Sequence, residues 1–113
     1  MTKENDSILV FEYFTASGEK DKCIISEAEA LIFALLDDLK DYDVDLVINK
    51  SYEGIVKDYE NVNPILIDCD VVDWLKVNAE NFKRAIFISA ENNNNLYNIT
   101  KILEENNVKT YTS

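Results

Sequence analysis

The stretch 7–18, SILVFEYFTASG, constrains this chain more than any other. Apolar and aromatic residues surround a single carboxylate, Glu12, and the run then breaks into small polar residues that end at Gly18. A short apolar run bounded by turn residues is the pattern of a buried strand. Helical spacing follows over 25–41, so the chain opens as strand, loop and helix. That is the first unit of an α/β sheet, and ligands of such sheets bind at the carboxyl ends of the strands.

The same alternation continues to the end of the chain. Ser26 followed by Glu29 has capping-box spacing, and Ala28, Leu31, Ile32, Leu35, Leu36 and Leu39 form one helical stripe, with Phe33 off it. Val44, Leu46 and Ile48 alternate as a second strand. Residues 51–63 are ambiguous: Tyr52, Ile55, Val56 and Tyr59 fit a short helical stripe that Gly54 interrupts. Pro64 starts a third strand, where a proline is tolerated. Asp70 is placed to cap the next helix, whose buried face is Val71, Trp74, Leu75, Ala79 and Phe82. Residues 84–89 are a near-continuous apolar run, as in a central strand covered on both faces. Four asparagines at 92–95 favour a loop and a helix start. Leu96, Ile99, Ile102 and Leu103 make the last stripe, which ends at Asn106 and Asn107. Residues 109–112 form a polar edge strand.

Strands alternating with helices predict a parallel sheet with right-handed crossovers. Placing the two most apolar strands, the first and fourth, in the centre gives the order 3-2-1-4-5. The expected fold is α/β: a Rossmann-like, three-layer, single domain over residues 1–113 with a five-stranded parallel sheet. Its switch point lies between the first and fourth strands, framed by 13–18 and 89–95. The chain stops directly after a strand without a closing helix, so the expectation is the N-terminal fragment of a longer chain.

Composition removes several function classes. Twenty-two acidic against eleven basic residues give a net charge of -11. Such a surface repels phosphate backbones and anionic lipid, so nucleic acid and membrane are not expected partners. No apolar run approaches the roughly 20 residues of a membrane helix, and residues 1–7 lack the apolar stretch of a signal peptide. The expected compartment is the cytoplasm. Without histidine no His-based triad, dyad or metal site can be built. With Gly18 and Gly54 as its only glycines, the chain has neither a P-loop nor a dinucleotide fingerprint. Arg84, the sole arginine, begins a strand, so no arginine cluster can clamp a phosphate. Cys23 and Cys69 lack metal-ligand spacing and read as reduced, with Cys69 buried in a strand.

Glu12 is the most informative single residue. It lies near the carboxyl end of a central strand, where an unpaired carboxylate is costly, and Arg84 begins its strand at the opposite edge. Two readings stay open: Glu12 accepts hydrogen bonds from residues 15–17 and orders that loop, or it contacts a ligand directly. Ser17, Gly18, Ser89, Glu91 and Asn92 complete the expected crevice, with hydroxyls, a carboxylate and amides suited to a polar organic molecule. No nucleophile has a base beside it, so no catalytic residue is assigned. Each of these residues is also explained by turn chemistry. Asp68, Asp70 and Asp73 suggest a receiver-like phosphoacceptor site, but the first strand has one acid rather than a metal-binding pair. Helix capping accounts better for Asp70 and Asp73.

The stretch VFEYFTASG resembles the first strand and loop of the N-terminal, pre-ATP-grasp domain of archaeal ATP-grasp ligases. Residues 25–55 resemble the helix and second strand of that domain, and IFISAENNNNLYNITKILEENNVKTYTS resembles the segment that ends it. Relatives often carry a glycine-richer loop where this chain has 15–17. The resemblance implies a substrate-side domain of a carboxylate–amine ligase, inert by itself. Its partners would be the ATP-grasp domains that follow and a small amino or carboxylate substrate; a homodimer is compatible with it. It also implies that ATP and magnesium are held by those later domains and no cofactor by this chain. There a carboxylate becomes an acyl phosphate that an amine attacks, while Glu12, Ser17 and Gly18 face the cleft with Glu91 nearby. A reading of a different class is a free-standing receiver-like or protein-interaction α/β module with its acidic surface as the interaction face.

Overall fold

The computed structural model describes residues 5–89 and 94–112. Five strands, β1 (Asn5–Glu12), β2 (Val44–Asn49), β3 (Val62–Ile67), β4 (Phe82–Ile88) and β5 (Lys109–Thr112), form one sheet of order β3-β2-β1-β4-β5. All four pairings are parallel, with Ile8 opposite Val44 and Arg84, and Glu12 opposite Ile88. The expected topology is therefore the observed one. Parallel strands covered on both faces are apolar throughout, and β1 satisfies this with Leu9, Val10 and Phe11 all fully buried. Every residue of β2 is buried, its one charged member Asp45 accepting hydrogen bonds from the Ser7 hydroxyl and from Asn63 Nδ2.

The helices are α1 (Tyr13–Ser17), α2 (Lys22–Asp38), α3 (Val71–Asn78) and α4 (Asn95–Glu105). On one face, Leu9, Phe11, Val47, Ala85 and Phe87 pack with Val71 and Leu75 of α3 and Ile99 and Leu103 of α4. On the other, Ile8, Val10, Val44, Leu46 and Ile48 pack against Ile32 and Leu36 of α2. The alternation of side chains along each strand divides these two cores. The result is three layers, with the ends of β1, β3 and β4 opening on the same edge. Among the described residues, no helix is long and apolar enough to cross a membrane.

Local differences from the sequence reading have identifiable causes. The loop expected after β1 begins with the helical turn α1, because Glu12 caps it. The second helix starts at Lys22, not near Ser26: the Asp21 carboxylate accepts from the Cys23 and Ile24 amides and nucleates the helix a turn earlier. Leu36 is wholly buried whereas Leu31 is 49% exposed and Leu35 only half-buried, so the stripe is narrower than its periodicity suggests. Residues Lys50–Val56 are 3-10 turns broken at Tyr52. Its neighbour Tyr59 stacks on Phe33 at a centroid distance of 6.2 Å, which accounts for the aromatic off the α2 stripe. Strand β3 begins at Val62, so Pro64 lies inside an edge strand, and it ends at Ile67, leaving Cys69 exposed rather than buried. Phe82 belongs to β4 and not to the preceding helix. Asn106 and Asn107 do end α4: Asn107 has φ 60°, and the Val108 amide donates back to the Leu103 carbonyl.

Candidate functional site

The site is built from the turn that leaves β1. Glu12 has extended backbone and is 2% exposed. Its Oε1 accepts from the Thr15 amide at 2.7 Å and its Oε2 from the Phe14 amide at 3.0 Å. These amides are donors that a helix start leaves without partners, so the carboxylate converts the strand end into a helical turn. Burial pushes the Glu12 carboxyl up from its ordinary 4.5, against the opposing pull of the two amides and the Thr15 hydroxyl. The turn ends at Gly18 with φ 83°, where the Gly18 and Glu19 amides both return to the Phe14 carbonyl. The positive φ favours glycine here, and a Cβ at Gly18 would stand 2.7 Å from Asn49 Nδ2, so a side chain there must also displace Asn49.

The turn is tied to the start of α3. The Tyr13 hydroxyl donates to Asp70 Oδ2 at 2.9 Å, and the Val71 amide donates to Ser17 Oγ at 3.0 Å. Asp70 Oδ1 meanwhile caps α3 by accepting from the Val72 amide at 2.8 Å. Burial, and then Asp70 as acceptor and neighbouring charge, hold the Tyr13 phenol above its ordinary 10.0, with the side chains of Ser17 and Asn95 pulling the other way. Tyr13 therefore stays a proton donor at neutral pH.

Between these elements lies an open cleft of about 490 Å³, lined by Tyr13, Phe14, Ser17, Gly18, Glu19, Ile24, Asp70 and Asn95. It sits at the carboxyl edge of the sheet and takes its walls from the segments after β1, β3 and β4. Of the residues expected there, Ser17 and Gly18 line it. Glu12 is not among the lining residues; its carboxylate is turned inward and accepts from the Phe14 and Thr15 amides of its own helical turn. Ser89 directly follows β4 but does not line the cleft, and Glu91 and Asn92 lie outside the described residues. Tyr13, Phe14, Glu19, Ile24 and Asn95 were not singled out from the sequence, although Tyr13, Phe14 and Asn95 fall within the segments that frame the switch point. Asp70 was read only as a helix cap. Its position just after β3 was the available signal, because that strand opens on the same edge.

The described lining of the cleft offers a nucleoside triphosphate no basic side chain. Among its described lining residues the only charged groups are the carboxylates of Glu19 and Asp70, and the chain has no glycine-rich phosphate loop. No group of three or more potential metal ligands occurs among the described residues.

A parallel sheet of this order, with a polar cleft at its switch point, defines a Rossmann-like α/β domain. Over 107 residues the chain is 36% identical to the tyramine–L-glutamate ligase of Methanocaldococcus fervens, covering 90% of this chain and 37% of that enzyme. It is 34% identical over 109 residues to the tyramine–L-glutamate ligase of Methanocaldococcus jannaschii, covering 90% of this chain and 35% of the enzyme. The ligase likeness read from the sequence is thereby borne out, over little more than a third of the length of these relatives. No family model and no solved structure matches the chain.

Proposed function

We propose that this chain is the N-terminal, substrate-side domain of an ATP-grasp carboxylate–amine ligase, of the kind that joins tyramine to glutamate in methanofuran biosynthesis. The observation that carries this reading is the extent of the match: nearly all of this chain aligns with about a third of two such ligases. The domain contributes one wall of a substrate cleft, built by α1, Gly18 and the start of α3. ATP and magnesium are held by later domains, which form the acyl phosphate that the amine attacks. Cytoplasmic localisation goes with this reading.

The test is an assay of the longer protein that contains this chain, supplied with tyramine, glutamate, ATP and magnesium. Release of ADP that requires both the amine and the amino acid is the expected result, with none from residues 1–113 alone. Absence of amide formation by the longer protein, or its formation by residues 1–113, overturns the proposal.

A further inference from the structure

We infer that the cleft beside Tyr13 and Asp70 selects the cationic amine of the ligase pair, an aromatic or arylalkyl ammonium, and rejects the carboxylate substrate. This deepens the ligase reading and rests on it for the word substrate, but the ligand chemistry follows from the cleft itself. The charged groups among its described lining residues are both anionic: Asp70 at the start of α3 and Glu19 just beyond the αL glycine. Each Asp70 oxygen accepts one hydrogen bond, from Tyr13 or from the Val72 amide, so each retains a second acceptor lobe. Glu19 accepts from the Lys20 amide through Oε2 at 2.8 Å. An ammonium offers three donors and a full positive charge to such acceptors, whereas a substrate carboxylate would meet two like charges and, among the described lining residues, no cation.

The other walls suit the body of the same molecule. Tyr13 and Phe14 line the cleft with rings edge to face, their centroids 5.5 Å apart, and Ile24 adds an aliphatic patch. Aromatic faces attract cations and pack against aromatic rings. Carboxylates beside aromatic and apolar surface therefore form a complementary surface for an amine joined to a ring, and a poor one for an amino-acid carboxylate. Asn95 adds an amide able to meet a ring hydroxyl.

The test uses the 113-residue chain, whose sheet is covered on both faces by its own helices. Two probes of similar shape and opposite charge, 2-phenylethylammonium and phenylacetate, are titrated at millimolar concentration while backbone amide shifts are followed by NMR. The expected result is saturable shifts at Tyr13, Phe14 and Gly18 with the ammonium and none with the anion. Asp70→Asn preserves an N-cap while removing the charge, and about a tenfold loss of ammonium affinity is expected from losing a charge-assisted hydrogen bond. Should that variant lose its folded circular-dichroism spectrum, Glu19→Gln carries the test, with a several-fold loss expected. Equal or tighter binding of phenylacetate, binding of neither probe, or unchanged affinity in the folded variant overturns the inference. Failure of the longer protein to make the amide would refute the ligase reading while leaving cation selectivity in place, so the two failures are distinguishable.

Discussion

Tyr13 and Asp70, 57 residues apart in sequence, meet through a 2.9 Å hydrogen bond that joins the turn after β1 to the first turn of α3. The acceptor is the same carboxylate that caps α3, so one side chain serves two elements. Tyr13→Phe keeps the ring and deletes the donor. The expected cost is about 0.5–1.5 kcal/mol of stability, the net value of a hydrogen bond, measured by urea unfolding. A variant as stable as the wild type would show that the bond contributes nothing net.

Glu12→Ala leaves the Phe14 and Thr15 amides without their acceptor beneath the cleft. A loss of about 1–3 kcal/mol is expected, as for other unsatisfied buried donors and lost caps. In the ligase proposed above the loss should appear together with weakened substrate binding, because the turn that Glu12 orders carries Tyr13, Phe14 and Ser17. Unchanged stability with altered kinetics would instead favour direct contact between Glu12 and substrate.

Glu12 also sets a pH dependence. Its folded pKa is raised above the ordinary 4.5, chiefly by burial, so over this range the folded state holds the proton more tightly than the unfolded state. The contribution to stability is complete below the unfolded value and is lost as pH rises through the raised folded value. Glu12→Gln does not titrate. The stability of the wild type minus that of Glu12→Gln should therefore fall as pH rises from about 4.5. Chemical denaturation of both proteins at a series of pH values measures it, and a difference that grows with pH would contradict the sign.

How much of this was legible in sequence depends on the range of the interaction. Strand order followed from the apolar runs of β1 and β4, because a strand covered on both faces must be apolar throughout. Ser17 and Gly18 were legible because the break in the first run marks the carboxyl edge. The Tyr13–Asp70 bond was not, since no local pattern records a side chain that caps its own helix and reaches another loop. The start of α2 was misplaced because the Ser26–Glu29 spacing alone marked it, whereas the Asp21 carboxylate caps the helix a turn earlier.

Gly18→Ala combines two costs that a double mutant separates. Its φ of 83° disfavours any Cβ by about 1–2 kcal/mol, and the added carbon would crowd Asn49. Gly18→Ala should lower the melting temperature by several degrees. In the background Asn49→Ala the same change should cost less, because only the backbone term remains. Equal costs in both backgrounds would show that Asn49 gives way freely.

Leu36 and Leu35 are adjacent and should behave differently. Leu36 is fully buried against the sheet, so Leu36→Ala should cost about 2–5 kcal/mol through lost burial and a cavity. Leu35, half-buried at the margin of that core, should cost clearly less. Urea midpoints of the two variants check the order, and a larger loss at Leu35 would reverse the placement of the helix face.

The hydrogen bond from the Val71 amide to Ser17 has a consequence for any domain that closes over this edge. Together with Tyr13 and Asp70 it fastens the two rims of the cleft to each other before a ligand arrives. Ordering a loose backbone residue costs about 1–2 kcal/mol of conformational entropy, and rims fixed during folding do not incur that cost again on association. Under the proposed ligase reading, a closing domain would therefore meet a stiff wall, and the mobility needed for substrate entry and product exit would fall to that domain.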